Sequence, residues 1–276
     1  MRLYVIISVI FIYVLAYGKD TNTRLLTLDT QGITTFEATC GSGFLKIYGK
    51  PGLKQINVTA NIRPEGLNPR KLQKVVTLTL KRAGSRAILT SITKNDAFGL
   101  FDWIFGNNED NIEIDLTIEI PQHMNLKITD GSGGTEIRNI RGNVNIIDGS
   151  GFLSVQNIDG ALEITDGSGG ILVRNINGNC QVHDGSGEIT LKQINGDLAI
   201  TDGSGAMFID HIGGSVEITD GSGEINLEYI RDTITISDGS GDIKAGHVNG
   251  DLILKSTGSG KVITNQVRGH IIGLRK

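Results

Sequence analysis

The sequence predicts an all-β fold: a single-chain parallel β-solenoid with about 18 residues per coil and irregular N-terminal coils. Three observations carry that prediction. The tetrapeptide Asp-Gly-Ser-Gly begins at Asp130, Asp148, Asp166, Asp184, Asp202, Asp220 and Asp238, at the same interval each time. With each Asp as position zero, positions five, seven, ten, fourteen and sixteen are almost always apolar, as in Ile189, Leu191, Ile194, Leu198 and Ile200. No unit carries apolar residues three and four apart over three turns, so the units are not helical.

Each unit reads as two short strands, because apolar residues two apart face the same side of a strand. Asp-Gly-Ser-Gly forms one corner; "NIRG", "NIDG", "NING" and "QING" (139–142, 157–160, 175–178 and 193–196) form the other. Glycine suits such corners, since tight turns often need positive φ. Strands this short cannot bury an apolar face alone. Stacking each strand in parallel on its copy one coil away solves this, at about 4.8 Å per coil.

Positions fourteen, sixteen and eighteen share a face, and eighteen is the next Asp, so the carboxylates stack along the inner edge of the corner. Bare charges at that spacing repel by about 3 kcal/mol at an effective dielectric near 20. Asp130, Asp148, Asp166, Asp184, Asp202, Asp220 and Asp238 are therefore expected to cap the following Gly-Ser-Gly amides as in an Asx-turn, with the Ser hydroxyl as a further donor. Calcium binding is the alternative reading.

Before Asp130 the repeat is irregular. "TCGSGFLKIYG" (39–49) resembles a worn copy, with Cys40 in the Asp place and Leu45 and Ile47 at positions five and seven. Strand-like stretches follow at 55–62, 74–82, 85–92 and 111–120, and the two prolines of 63–71 should interrupt stacking. Residues 19–129 are thus expected to form wider coils capping the solenoid, and 130–276 the regular repeats, ending in a degraded eighth unit with one inserted residue and no Asp. Residues 1–18, with Arg2, a long apolar run and small residues at Ala16 and Gly18, read as a cleaved export signal; a single membrane anchor is the alternative.

The segment 95–111 gathers Phe98, Leu100, Phe101, Trp103, Ile104 and Phe105. It reads either as a cover over the solenoid flank or as an apolar tip that meets a partner or membrane.

The chemistry expected elsewhere is sparse. With 26 basic and 30 acidic residues, net −4, nothing suggests the basic stripe that nucleic acid requires. The corners lack the Gly that a G-x-S-x-G nucleophile elbow needs two residues before Ser, and no helix follows as phosphate loops demand. In the calcium β-roll motif Asp follows the glycines; here it precedes them. His211 and His247 share position nine, but Tyr229 lies between them, and a separation near two coils is too long for one metal. His123, His183 and His270 are equally isolated. Positions fifteen and seventeen form a mixed polar face, without the uniform Thr ladder of an ice binder. Cys180 takes the place of Leu162 and Leu198 and reads as a buried thiol, several coils from Cys40.

The passage "IEIDLTIEIPQHMNLKITDGSGGTEIRNIRGNVNIIDGSG" (112–151) resembles the bacterial "putative adhesin" family, a domain of unknown function in exported proteins. The likeness rests on a hydrophobic strand, the Pro121 turn, and units of Asp-x-Ser-Gly, apolar alternation and Asn-Ile-x-Gly. It spans nearly all of 30–276, implies a single-chain β-solenoid outside the cytoplasm and brings no catalytic residues to carry over; the aromatic insertion at 98–105 departs from it.

The resulting expectation is a non-enzymatic exported solenoid, in the periplasm, at the cell surface or outside the cell, that binds through its faces or its apolar loop. Glycan, protein and membrane stay open as partners, and no cofactor is expected. A scaffold that self-associates end to end is the second reading. A carbohydrate-active enzyme on a β-helix comes third, because it would need an acidic cluster in a cleft.

Overall fold

The computed structural model describes residues 22–65, 69–94 and 112–273. The regular alternation of the sequence becomes, among these residues, 23 strands and one short helix. The first part contains β1 (Thr23–Asp29), β2 (Thr35–Ser42), β3 (Leu45–Lys50), β4 (Gln55–Arg63), α1 (Pro69–Val75), β5 (Val76–Ala83), β6 (Arg86–Thr93) and β7 (Glu113–Pro121). The strand β8 (Asn125–Ile140) then bends through the first Asp-Gly-Ser-Gly corner and belongs to both sheets of the solenoid.

From there the coils alternate. One sheet receives β10 (Gly151–Ile158), β12 (Gly169–Ile176), β14 (Ile189–Ile194), β16 (Met207–Ile212), β18 (Ile225–Ile230), β20 (Ile243–Val248) and β22 (Val262–Val267). The other receives β9 (Val144–Asp148), β11 (Leu162–Asp166), β13 (Cys180–Asp184), β15 (Leu198–Asp202), β17 (Val216–Asp220), β19 (Ile234–Asp238), β21 (Leu252–Thr257) and β23 (Ile271–Gly273). All these pairings are parallel, and each residue faces its copy in the next repeat, as Leu153 faces Ile171 and Ile171 faces Ile189. The fold is an all-β parallel solenoid in which one coil is one sequence repeat.

Like residues therefore stack on like. Ile189, Leu191, Ile194, Leu198 and Ile200 are buried, as are their counterparts in neighbouring coils, forming one continuous core between the sheets. Thr135, the polar exception at position five, is buried too; its hydroxyl donates to Asp130 Oδ2 at 2.8 Å.

The worn copy keeps its register: Cys40 pairs with Asp130, Leu45 with Thr135 and Ile47 with Ile137. Around it the layout changes. β4 lies antiparallel between β1 and β7, and β5 folds back antiparallel on β6, while β2 runs parallel to both β6 and β8. The helix α1 was not legible as a helix. Its first residue is Pro69, a favoured start, and Leu72 and Val75, three apart, are buried, but the β-branched run beginning at Val75 hides that short spacing. At the far end the extra residue is absorbed by a register shift between Ile236 and Ser237, after which Asp238 faces Thr257.

Candidate functional site

The first corner is a column of buried carboxylates. Asp130, Asp148, Asp166, Asp184, Asp202, Asp220 and Asp238 are all buried. The Oδ1 atoms of Asp184, Asp202, Asp220 and Asp238 accept from the amide of the Ser two residues on, at 3.0–3.2 Å. Their Oδ2 atoms, and both carboxylate oxygens of Asp148 and Asp166, are buried without a geometrically acceptable donor. Burial, then repulsion from adjacent members of the column, pushes Asp148, Asp184 and Asp220 up to about 6, against the pull of the Ser and Gly amides. Asp166, Asp202 and Asp238 are raised as well, by burial. The Ser hydroxyls form none of these caps.

The glycines here serve two needs. Gly133, Gly151, Gly169, Gly187, Gly205, Gly223 and Gly241 hold φ between +125° and +153°, a region that side chains rarely adopt. They also let coils approach: a Cβ on Gly187 would sit 1.5 Å from the carbonyl oxygen of Gly169.

The second corner turns differently. Its left-handed residue is position nine and not the glycine of "NIxG": Asn139, Asn157, Asn175, Gln193, His211, Tyr229, His247 and Gln266 all have φ between 53° and 62°. The glycine three residues on answers to crowding, since a Cβ on Gly160 would meet the carbonyl oxygen of Gly142 at 2.5 Å. Asn and His are enriched in the left-handed region, but a residue as bulky as Tyr seldom sits there.

Because position nine points outward, its side chains form a ladder. Asn157 Nδ2 donates to Asn139 Oδ1 and Asn175 Nδ2 to Asn157 Oδ1, each at 2.9 Å. Further along, the rings of Tyr229 and His247 stack with centroids 4.5 Å apart, and that of His211 lies against Tyr229 at 4.6 Å, tilted by 31°. His211 Nδ1 lies 2.6 Å from Asp210 and His247 Nδ1 2.8 Å from Glu228. The common ninth position of the two histidines was visible in the sequence; that Tyr229 between them completes a stack follows from the register.

Position eleven runs beside this ladder. In the early coils it is internally bonded: Arg141 pairs with Asp159 at 3.5 Å, Asn177 donates to Asp159, and Asn195 to Asn177. In the late coils it is Arg231, Asn249 and Arg268. These line a cleft of about 320 Å³ with Tyr229, His247 and Gln266.

Past the corner, position thirteen caps the next coil. Asn125 Oδ1 accepts from the amide of Asn143, Asn143 from Ala161, Asn179 from Asp197 and Asp197 from Ser215, all at 2.8–3.0 Å. Together with position fifteen, this column lines a trough of about 820 Å³ that runs along the second sheet from Asn125 to Thr235. Its floor is polar and uneven: Asn145 donates to Glu163 at 2.7 Å, and the small Ala199 lies between Gln181 and Glu217.

His123, His211 and His270 are exposed and His183 and His247 half-buried. Among the described residues no group of three or more His, Cys, Asp or Glu side chains is placed to hold a metal ion. Cys40 and Cys180 are buried free thiols, and burial drives both up, Cys180 to about 12. The apolar segment Phe98, Leu100, Phe101, Trp103, Ile104 and Phe105 and the export signal 1–18 lie outside the described residues.

No family model and no curated protein matches the chain. Solved structures do resemble it. A "putative lipid binding protein" of Parabacteroides distasonis is 18% identical with a TM-score of 0.51, over 92% of this chain and 98% of that one. A "putative adhesin" of Parabacteroides merdae is 13% identical with a TM-score of 0.49, over 92% and 97%. A "putative adhesin" of Parabacteroides distasonis is 13% identical with a TM-score of 0.46, over 88% and 96%. The class is a parallel β-solenoid, and the first of these likenesses shows a shared fold. A "putative cell adhesion protein" and a further "putative adhesin" are also among its neighbours.

Proposed function

We propose that this chain is a non-enzymatic, exported binding module of the cell envelope or surface, and that its trough holds an extended polar polymer, a glycan. The trough itself carries this reading. It offers a straight row of amide, hydroxyl and carboxylate groups from successive coils, a surface suited to repeated hydroxyls and unsuited to an acyl chain. In this reading residues 19–129 cap one end of the solenoid, and the antiparallel strands β1 and β5 supply an end that does not continue the coil. Export rests on residues 1–18.

Ala199→Trp tests the trough. An outward aromatic is well accommodated on a strand, so the fold should persist while the floor is blocked. Binding to isolated envelope glycans, followed by affinity electrophoresis, should fall at least about tenfold at an unchanged melting temperature, the loss expected when one central contact of the patch is removed. Undiminished binding would exclude the trough.

Assembly end to end is the second reading. In the last coil Val262 and Ile271, at positions five and fourteen, are 37% and 54% exposed, where their counterparts in earlier coils are buried. A second copy could cover them. Light scattering over a concentration series reads this directly: a mass fixed at the monomer throughout would sink it.

A further inference from the structure

We propose that the second corner of the late coils is a binding site for an oxyanionic group, a carboxylate, sulfate or phosphate, held between Arg231 and Arg268 above Asn249. This site is separate from the trough and does not depend on it.

The register sets the geometry. Arg231, Asn249 and Arg268 occupy one outward column in three successive coils, so the two arginines are roughly 10 Å apart along the axis with the amide between them. Both arginines line the same cleft of about 320 Å³, whose other wall is Tyr229, His247 and Gln266. The wall is rigid for a surface feature: Tyr229 and His247 are stacked with 19° between their planes, and His247 Nδ1 is fixed on Glu228. That bond directs Nε2 away from the carboxylate.

The early coils show what such an arginine does when a carboxylate is within reach. Arg141, in the same column, pairs with Asp159 one coil on. Arg231 has Asn249 in that place, and neither Arg231 nor Arg268 lies within ion-pair distance of a carboxylate among the described residues. The ladder that closes on itself at Arg141–Asp159 is open here, with two forked donors, an amide and an imidazole around a cavity. Arginine matches planar or tetrahedral oxyanions with paired N–H groups. The protein carries a net charge of −4, so attraction of an anion to this corner is local and not a property of the whole surface.

The same column supplies the decisive variant. Asn249→Asp places a carboxylate between the arginines and recreates the Arg141–Asp159 arrangement, so the fold should be kept or slightly stabilised while the site is filled from within. Sodium sulfate is titrated by calorimetry into the full chain at low ionic strength, alongside heparin, polygalacturonate and neutral dextran. We expect saturable binding of sulfate or of the two acidic polysaccharides, none of dextran, and complete loss in Asn249→Asp with an unchanged or higher melting temperature. Arg231→Gln and Arg268→Gln should each weaken binding about tenfold, and Arg174→Gln, an exposed arginine on the outer face of the first sheet, should not.

If sulfate alone saturates as tightly as heparin, the ligand is a small anion; if only the polymers bind tightly, it is an anionic group carried on a chain. Equal weakening by Arg174→Gln would reduce the effect to diffuse charge and overturn the proposal. So would binding by Asn249→Asp at the native affinity, or no saturable binding of any anion.

Discussion

At the first corner, seven successive coils turn on the same four residues, with the carboxylate buried and the second glycine at φ between +125° and +153°. At the second corner the turning residue is Asn, Gln, His or Tyr, always near φ +60° and always pointing outward. The two corners solve one steric problem under different constraints. At the first the carboxylate turns into the core and the glycines of successive coils pack backbone on backbone, so there is no room for a Cβ on either glycine. The second faces water, so the same backbone conformation can carry different side chains while the coil beneath is unchanged. Surface chemistry can vary at the second corner without altering the core, and it is there that the aromatic stack and the open arginine cleft are found.

The sharpest way to break this contrast is to add one methyl group at the first corner. Gly187→Ala puts a Cβ where the carbonyl oxygen of Gly169 already lies and forces φ +147° on a residue with a side chain. Either coils separate or the strand shifts, and the whole column feels it. We expect a loss of at least about 3 kcal/mol in chemical denaturation, above the usual cost of backbone strain alone. A loss under about 1 kcal/mol would mean that the corner is far looser than its stacking implies.

The pH dependence sharpens it next. In the folded chain Asp148, Asp184 and Asp220 are raised from 3.8 to about 6, and the three carboxylates between and beyond them are raised too. Between about pH 4 and 6 the folded state thus holds protons that the unfolded chain has released, so stability falls as pH rises through that window. The contribution is complete below the unfolded value and lost above the folded one. The melting temperature should therefore be higher at pH 4.5 than at pH 7.5. Asp184→Asn keeps an acceptor for the Ser186 amide and removes one charge from the column; it should raise the melting temperature at pH 7.5 and flatten the profile. Asp184→Ala leaves that amide unpaired and should cost about 1–3 kcal/mol. A melting temperature that declines steadily from pH 7.5 to 4.5 would contradict the carboxylate column.

Much of this was legible in the sequence for a physical reason: a solenoid repeats one local solution, and stacking in register turns a single sequence period directly into columns in space. The core positions, the two strands per coil and the alignment of Cys40 with Asp130 all follow from that period. What escaped was set by contacts between coils. The positive φ of position nine is invisible because four residue types adopt it, and the glycine nearby suggested itself as the turning residue. The amide caps of position thirteen, such as Asn143 on Ala161, depend on a donor one coil away and not on a neighbour in the chain. Between Thr23 and Pro121 the antiparallel pairings have no period to announce them.

The smallest expected effect lies at the second corner and completes the contrast. Tyr229 holds φ +58° with a bulky ring, a conformation that costs an L-residue roughly 1–2 kcal/mol and Asn considerably less. Tyr229→Asn would recover part of that cost and rejoin the residue type of Asn139, Asn157 and Asn175. Against this, it removes two ring contacts, with His211 and His247, each worth about 0.5–1.5 kcal/mol when aromatic pairs are well placed and less for exposed rings such as these. The terms are similar and opposed, so chemical denaturation should register a net change within about 1 kcal/mol. A much larger loss would show that the stack supports the coil, and the second corner would then be as constrained as the first. A clear gain would show that the chain bears left-handed strain to keep an aromatic ring at the edge of the arginine cleft, the pattern expected where a side chain is held for binding and not for folding.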